Sequence, residues 1–98
     1  MWVRVQKMKS AKQLEKHLKA LSNHNRIKIL LFIDANDGAT VFNISKQIKC
    51  NFSNTSQHIQ RLVAAGLLDK SNKGNNVKQS LSPYGREVVK FLHSFSKL

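Results

Sequence analysis

Asn51-Phe52-Ser53-Asn54-Thr55-Ser56-Gln57-His58-Ile59-Gln60-Arg61-Leu62-Val63-Ala64-Ala65-Gly66 is the stretch on which the fold turns. Thr55, Ile59, Leu62 and Val63 recur at helical spacing, so the segment reads as a helix from about Phe52 to Ala65 with one buried side. Asn51 has an N-cap side chain, and Gly66 suits the left-handed residue that closes a helix. The opposite face carries Ser53, Asn54, Ser56, Gln57, Gln60 and Arg61. These are amides, hydroxyls and one guanidinium, the groups that pair with base edges and phosphates.

Working outward, a shorter helical segment precedes it from Thr40 to Lys49, with Val41, Ile44 and Ile48 on its apolar side. Only Lys49-Cys50-Asn51 separates the two, a break that contains no glycine. On the other flank, Leu67 to Asn72 and Val77 to Leu81 read as short strands around Lys73-Gly74-Asn75-Asn76, where Gly and Asn tolerate positive φ. Ser82 then caps a last helix whose first residue is Pro83, a position where the missing N–H costs nothing. Val88, Val89, Phe91, Leu92 and Phe95 give that helix a broad apolar face.

Toward the N-terminus, Ser10 caps a helix carrying Leu14, Leu18 and Leu21. Asn23 caps a second, with Ile27, Leu30, Leu31 and Ile33 as its expected buried stripe and Asp34-Ala35-Asn36-Asp37-Gly38 as its end. Met1 to Lys9 has a brief alternation at Trp2, Val3 and Val5 and reads as a frayed arm or a short strand. The order is four helices, a hairpin and a helix, which predicts a mainly α winged helix-turn-helix of the α+β class. One domain is expected over 1–98: an arm at 1–9, the helix-turn-helix at 40–65, the wing at 67–82 and a dimerisation helix at 83–98.

Ninety-eight residues suffice for a single core and leave no room for a cleft between two domains. Seventeen Lys and Arg against five Asp and Glu give a net charge of +12, which self-repels unless a polyanion neutralises it. Nucleic acid and an anionic membrane are therefore the first partners to weigh. The longest apolar run, Ile29 to Ile33, falls far short of the roughly 20 residues a membrane span needs. The single cysteine, Cys50, excludes an intramolecular disulfide framework and fits a reducing, cytoplasmic setting. As a free thiol in the inter-helix turn it is expected to behave as a small buried hydrophobe. Five scattered carboxylates, no Gly-rich phosphate loop and no base beside Ser53 or Ser56 argue against an enzyme, and no cofactor is expected.

A major groove about 12 Å wide admits one helix, braced by the helix before it. No acidic residue lies between Asp37 and Asp69 to repel phosphate. Double-stranded DNA is thus the expected partner, contacted by Ser53, Asn54, Ser56, Gln57, His58, Gln60 and Arg61 from the helix and by Lys70, Lys73, Asn75 and Lys78 from the wing. His58 reads equally well as a DNA contact or as helix packing. Arg4, Lys7, Lys9, Lys12, Lys16 and Lys19 either solvate a helix face or reach flanking phosphates. A surplus of apolar side chains at Leu14, Leu18, Val88, Val89, Leu92 and Phe95 predicts a homodimer through the terminal helices; Phe91, Leu92 and Phe95 also admit an effector pocket, core or interface reading.

Leu21-Ser22-Asn23-His24-Asn25-Arg26-Ile27-Lys28-Ile29-Leu30 resembles the L-x-D/N-x-x-R-x-x-I-L signature of ArsR-type winged-helix repressors. Ser56 to Leu68 resembles their S-x-H-L-x-x-L-x-x-A-G-L-V run, His58 matching the family histidine. Leu81-Ser82-Pro83-Tyr84-Gly85-Arg86-Glu87 is closer to the L-S/T-x-x-G-R-E pattern of MarR-like proteins. The resemblance implies homodimers that bind pseudo-palindromic operators. It does not extend to metal sensing: Val41-Phe42-Asn43-Ile44-Ser45 stands where metal-sensing members have Cys-x-Cys, and the last helix offers only His93, so no metal site is expected. Three functions remain in play: a sequence-specific transcriptional regulator, a sequence-tolerant architectural DNA-binding protein, and a winged helix used for protein interaction.

Overall fold

Polar caps start every helix of the computed structural model, which describes residues 8–73 and 76–97. Helix α1 (Ala11–Leu21) begins at Ser10, whose hydroxyl accepts from the Gln13 amide while the Gln13 side chain accepts from Ser10 N–H. Asn23, Thr40, Asn51 and Ser82 do the same work for α2 (His24–Ala35), α3 (Val41–Ile48), α4 (Phe52–Ala64) and α5 (Pro83–Ser96). Between α4 and α5 lies an antiparallel hairpin, β1 (Leu68–Lys73) and β2 (Asn76–Leu81). The chain is a winged helix-turn-helix of the mainly α class with one small hairpin. The expected N-terminal arm with Trp2, Val3, Arg4, Val5 and Lys7, and the wing-tip residues Gly74 and Asn75, lie outside the described residues.

The core forms around α2, which touches α1, α3, α4, α5 and β2. Its central side chains Ile29, Leu30 and Ile33 are fully buried, against Ile44, Ile59, Leu62, Leu67 and Leu68. This corrects the expected stripe: Ile29 is inside, whereas Ile27 and Leu31 are half-buried. A single-sided pattern fails here because partners surround α2 on several sides, and a surrounded helix has no one buried stripe.

The turn after α3 falls where the sequence places it, and the hairpin loop departs from the sequence reading. Lys49 ends α3 in the left-handed region, φ 57° and ψ 47°, without a glycine. That conformation costs a non-glycine residue about 1–2 kcal/mol, and it frees the Lys49 N–H to reach the Ser45 and Lys46 carbonyls. The hairpin loop is shorter than the expected four residues, because Lys73 and Asn76 pair as the last rung of the ladder. Away from the loop, Gln79 makes an isolated bridge to Ala39: Gln79 N–H donates to the Ala39 carbonyl at 2.9 Å, and Gly38 N–H to the Gln79 carbonyl at 2.9 Å. Gly38, at φ +83°, lets the chain leave α2 and run beside the wing.

The start of α5 is locked to the end of α4. Ser82 Oγ donates to the Gly66 carbonyl at 2.6 Å and accepts from Gly85 N–H at 2.9 Å, while Ser82 N–H donates to the Leu67 carbonyl at 3.1 Å. Gly85 closes the same corner: a Cβ there would run into the Leu67 carbonyl oxygen, a backbone atom that cannot step aside. Glycine to alanine inside a helix ordinarily stabilises by about 1 kcal/mol. Here Gly85→Ala is expected to destabilise instead, by about 2 kcal/mol or more, as the helix start is forced off the Leu67 backbone. Urea unfolding checks the sign; a variant as stable as the parent would mean the corner yields freely.

Candidate nucleic-acid interface

Helix α4 buries Thr55, Ile59 and Leu62 and turns its other side to solvent. Asn51 Oδ1 accepts from Asn54 N–H at 2.7 Å, and Thr55 Oγ1 donates to the Cys50 carbonyl at 3.4 Å, which fixes the first turn against the inter-helix break. Ser53, Asn54, Gln57, Gln60 and Arg61 are exposed and Ser56 half-buried. Among the described residues, no protein group engages the side-chain amides of Asn54, Gln57 and Gln60, so their donors and acceptors are free for an external partner. Phe52, in the first turn of the same helix, is 56% exposed and was not among the expected contacts. Its large apolar side chain beside the polar face was the available signal; apolar side chains touch thymine methyls in major grooves.

His58 faces sideways rather than outward. Its Nδ1 lies 3.1 Å from an Arg26 guanidinium nitrogen. Arg26 is always a donor, so Nδ1 is the acceptor and the proton of the neutral ring sits on Nε2. Burial first, then the charges of Arg26, Arg61 and His24, push the His58 pKa below its ordinary 6.5. Arg26 also donates from Nε to the Ala20 carbonyl at 2.6 Å and from its other terminal nitrogen to the Lys19 carbonyl at 3.4 Å. This one side chain therefore ties the C-terminus of α1 to α4, with burial and then Arg61 lowering its own pKa. The sequence signature contained Arg26, but its partners lie 6, 7 and 32 residues away and no local spacing exposes them.

The wing does not gather its lysines on one surface. Register pairs Lys70 with Gln79 and Ser71 with Lys78, so Lys70 and Lys78 stand on opposite faces of the hairpin. Lys70 is exposed and Lys78 half-buried. Asn75 and the side chain of Lys73, both expected contacts, lie outside what is described. Cys50 is half-buried against the core, with the Asn25 amide 3.9 Å from its sulfur, as the plug of the helix-turn-helix turn.

Helices α1 and α5 together expose an apolar strip. Leu14, Leu18, Phe91 and Phe95 are 42%, 54%, 51% and 62% exposed, and the two phenylalanine rings stack at 5.6 Å. A groove of about 250 Å³ runs between them, with His17 and Tyr84 packed edge-on at 4.9 Å in its wall. Val88 lines it half-buried, and Leu92, also half-buried, packs against the core. Val89 corrects the sequence expectation: it is 2% exposed, turned into the protomer's own core, and has no surface to offer a partner. A helix face seen in sequence does not distinguish the stripe that covers its own domain from the stripe beside it.

Among the described residues, no three of His, Cys, Asp and Glu gather as metal ligands, and no helix is long and apolar enough to cross a membrane. Residues 22–69 match the family of winged helix-turn-helix DNA-binding domains. No curated protein matches the sequence. Among solved structures, HlyU from Vibrio cholerae superposes with a TM-score of 0.80 at 25% identity, over 94% of this chain and 100% of that one. The transcriptional regulator HlyU from Vibrio vulnificus gives 0.73 at 26% identity, over 87% and 88%. The homodimeric winged helix-turn-helix domain of Mb0332 from Mycobacterium bovis, described as a possible ArsR-family regulator, gives 0.79 at 20% identity, over 97% and 91%.

The neutral His58 has a consequence for pH. The unfolded chain takes up a proton at the ordinary value, the folded chain only below it. Stability from this contact is therefore complete above pH 6.5 and declines as pH falls through the lowered folded value. Urea midpoints between pH 7.5 and 5 should fall more steeply in the parent than in His58→Gln, and the His58 ring should titrate below 6.5 by NMR. Coincident profiles for parent and variant would exclude the contact.

Proposed function

We propose that this chain, which has the winged helix-turn-helix fold, is a regulator of the ArsR type that acts as a homodimer, binds double-stranded DNA with sequence preference and regulates transcription. The observation that carries this reading is the outer face of α4. It offers three unengaged amides and two serines in a segment without a carboxylate, on a chain of net charge +12. Asn54 and Gln57 have the paired donor and acceptor that adenine presents in reverse, while Arg61 near the end of the helix grips phosphate. His58 contributes indirectly: its Nδ1 is taken by Arg26, which leaves Nε2–H as the only group it can offer outward. The groove between α1 and α5 takes the partner protomer, with Leu14, Leu18, Val88, Leu92 and Phe95 at the seam; Val89 supports the seam from beneath. The homodimeric state described for the Mycobacterium bovis domain supports that assembly. A second reading, an architectural protein tolerant of sequence, is favoured by the large charge and by the single arginine on the α4 face.

Two variants separate reading from gripping. Gln57→Ala should lower affinity for a preferred duplex by roughly 1–3 kcal/mol and hardly alter affinity for random DNA. Lys70→Ala should weaken both alike and reduce the slope of log K against log salt by about one unit for each phosphate it no longer neutralises. Selection from a random duplex pool supplies the preferred site, and equal losses for Gln57→Ala on both duplexes would establish the architectural reading.

The assembly has its own test. Phe95→Glu, at an exposed position outside the protomer core, is expected to leave a folded monomer with weakened DNA binding, measured by sedimentation and by duplex titration. A parent protein that sediments as a monomer at micromolar concentration would overturn the homodimer.

A further inference from the structure

A second cationic feature borders the outer face of α4 and shares Arg61 with it. A cleft of about 240 Å³ opens between α1 and the C-terminal end of α4, walled by Lys16, Lys19, Arg26 and Arg61 over a floor of alanines. Four cations from three helices meet there. Glu15 lies outside its lining and pairs with Lys19 at 3.6 Å in full solvent. Among the described residues, no carboxylate comes within ion-pair distance of Arg26 or Arg61.

Arg26 makes the arrangement more than a solvated patch. It is half-buried, and a partly desolvated charge without a counter-ion is costly unless an anion completes it. Of its five N–H donors, three are engaged by Ala20, Lys19 and His58, leaving two for another acceptor. Because Arg26 already binds the last carbonyls of α1, the negative end of that helix is covered. The C-terminus of α4 opposes an anion with roughly half a charge, against four cations around the cleft, of which only Lys19 has a carboxylate partner among the described residues. A compact multivalent oxyanion matches guanidinium forks flanked by ammonium groups better than a single carboxylate does.

We propose that this cleft is a phosphate-binding site bridging α1 and α4. Two sources supply that chemistry: a backbone phosphate of bound DNA, or the phosphate of a free small molecule. The first rests on the DNA-binding reading above and the second does not. In either case an occupant joins the helix of the proposed dimer seam to the helix of the proposed DNA contact.

Inorganic pyrophosphate is the probe, titrated into the full chain at constant ionic strength and followed by amide NMR shifts. Saturable binding with one site per protomer is expected, with shifts concentrated at residues 16–20 and 61–65. Lys16→Ala, a change at an exposed position, should weaken it about three- to fivefold, while Lys90→Ala on α5 leaves it unchanged. Repeating the titration on the duplex complex separates the sources. If pyrophosphate no longer binds and Lys16→Ala lowers the salt slope of DNA binding by about one unit per site, the occupant is the DNA backbone. If the titration persists on the complex, the occupant is a free phosphorylated ligand. Non-saturating shifts spread over the surface, equal in the parent, Lys16→Ala and Lys90→Ala, would overturn the site whatever the chain does with DNA.

Discussion

One guanidinium holds the geometry together. Arg26 grips the last carbonyls of α1 with one edge and the imidazole of α4 with the other, and it does so from the first turn of the central helix α2. A planar fork with donors at fixed angles is suited to this; an ammonium on a flexible stem has neither the reach nor the directionality. The contact sets where α1 stands relative to α4, and so relates the apolar strip of the terminal helices to the polar face next to them. It also concentrates positive charge beside Arg61, which the hydrophobic core alone would not do.

Burial then leaves α4 one orientation. Thr55, Ile59 and Leu62 lie against α2 and α3, and a rotation that exposed them would cost about 1.5–3 kcal/mol for each large apolar side chain. The left-handed Lys49 and the Asn51 cap fix the angle at which the chain enters the helix. At its other end, the Ser82–Gly66 hydrogen bond and the close approach of Gly85 to Leu67 hold the hairpin and α5 to the same helix. The amides of Asn54, Gln57 and Gln60 are thereby presented from a helix backbone that the protein's own contacts hold at both ends. Preorganisation of that kind lowers the ordering cost of binding.

Much of this was legible in the sequence because it rests on local rules. The caps Ser10, Asn23, Asn51 and Ser82, the proline that starts α5 and the positive-φ glycines at 38 and 66 follow from backbone sterics within a few residues, and each stands where its residue type predicts. The polar face of α4 followed from helical periodicity alone. Where local pattern competed with surroundings it failed: Ile29 displaced Ile27 in the core, and Val89 turned inward.

The sequence by itself therefore determined the winged helix-turn-helix, its element order, its charge and the side chains its fourth helix turns outward, since periods of 3.6 and 2 and capping chemistry act over one or two turns. Tertiary structure alone decided which apolar residues face inside, that burial and then Arg26 push the His58 pKa down, and that cations from α1, α2 and α4 converge on one cleft. Those facts depend on packing between segments distant in the chain, and no window along the sequence contains both partners.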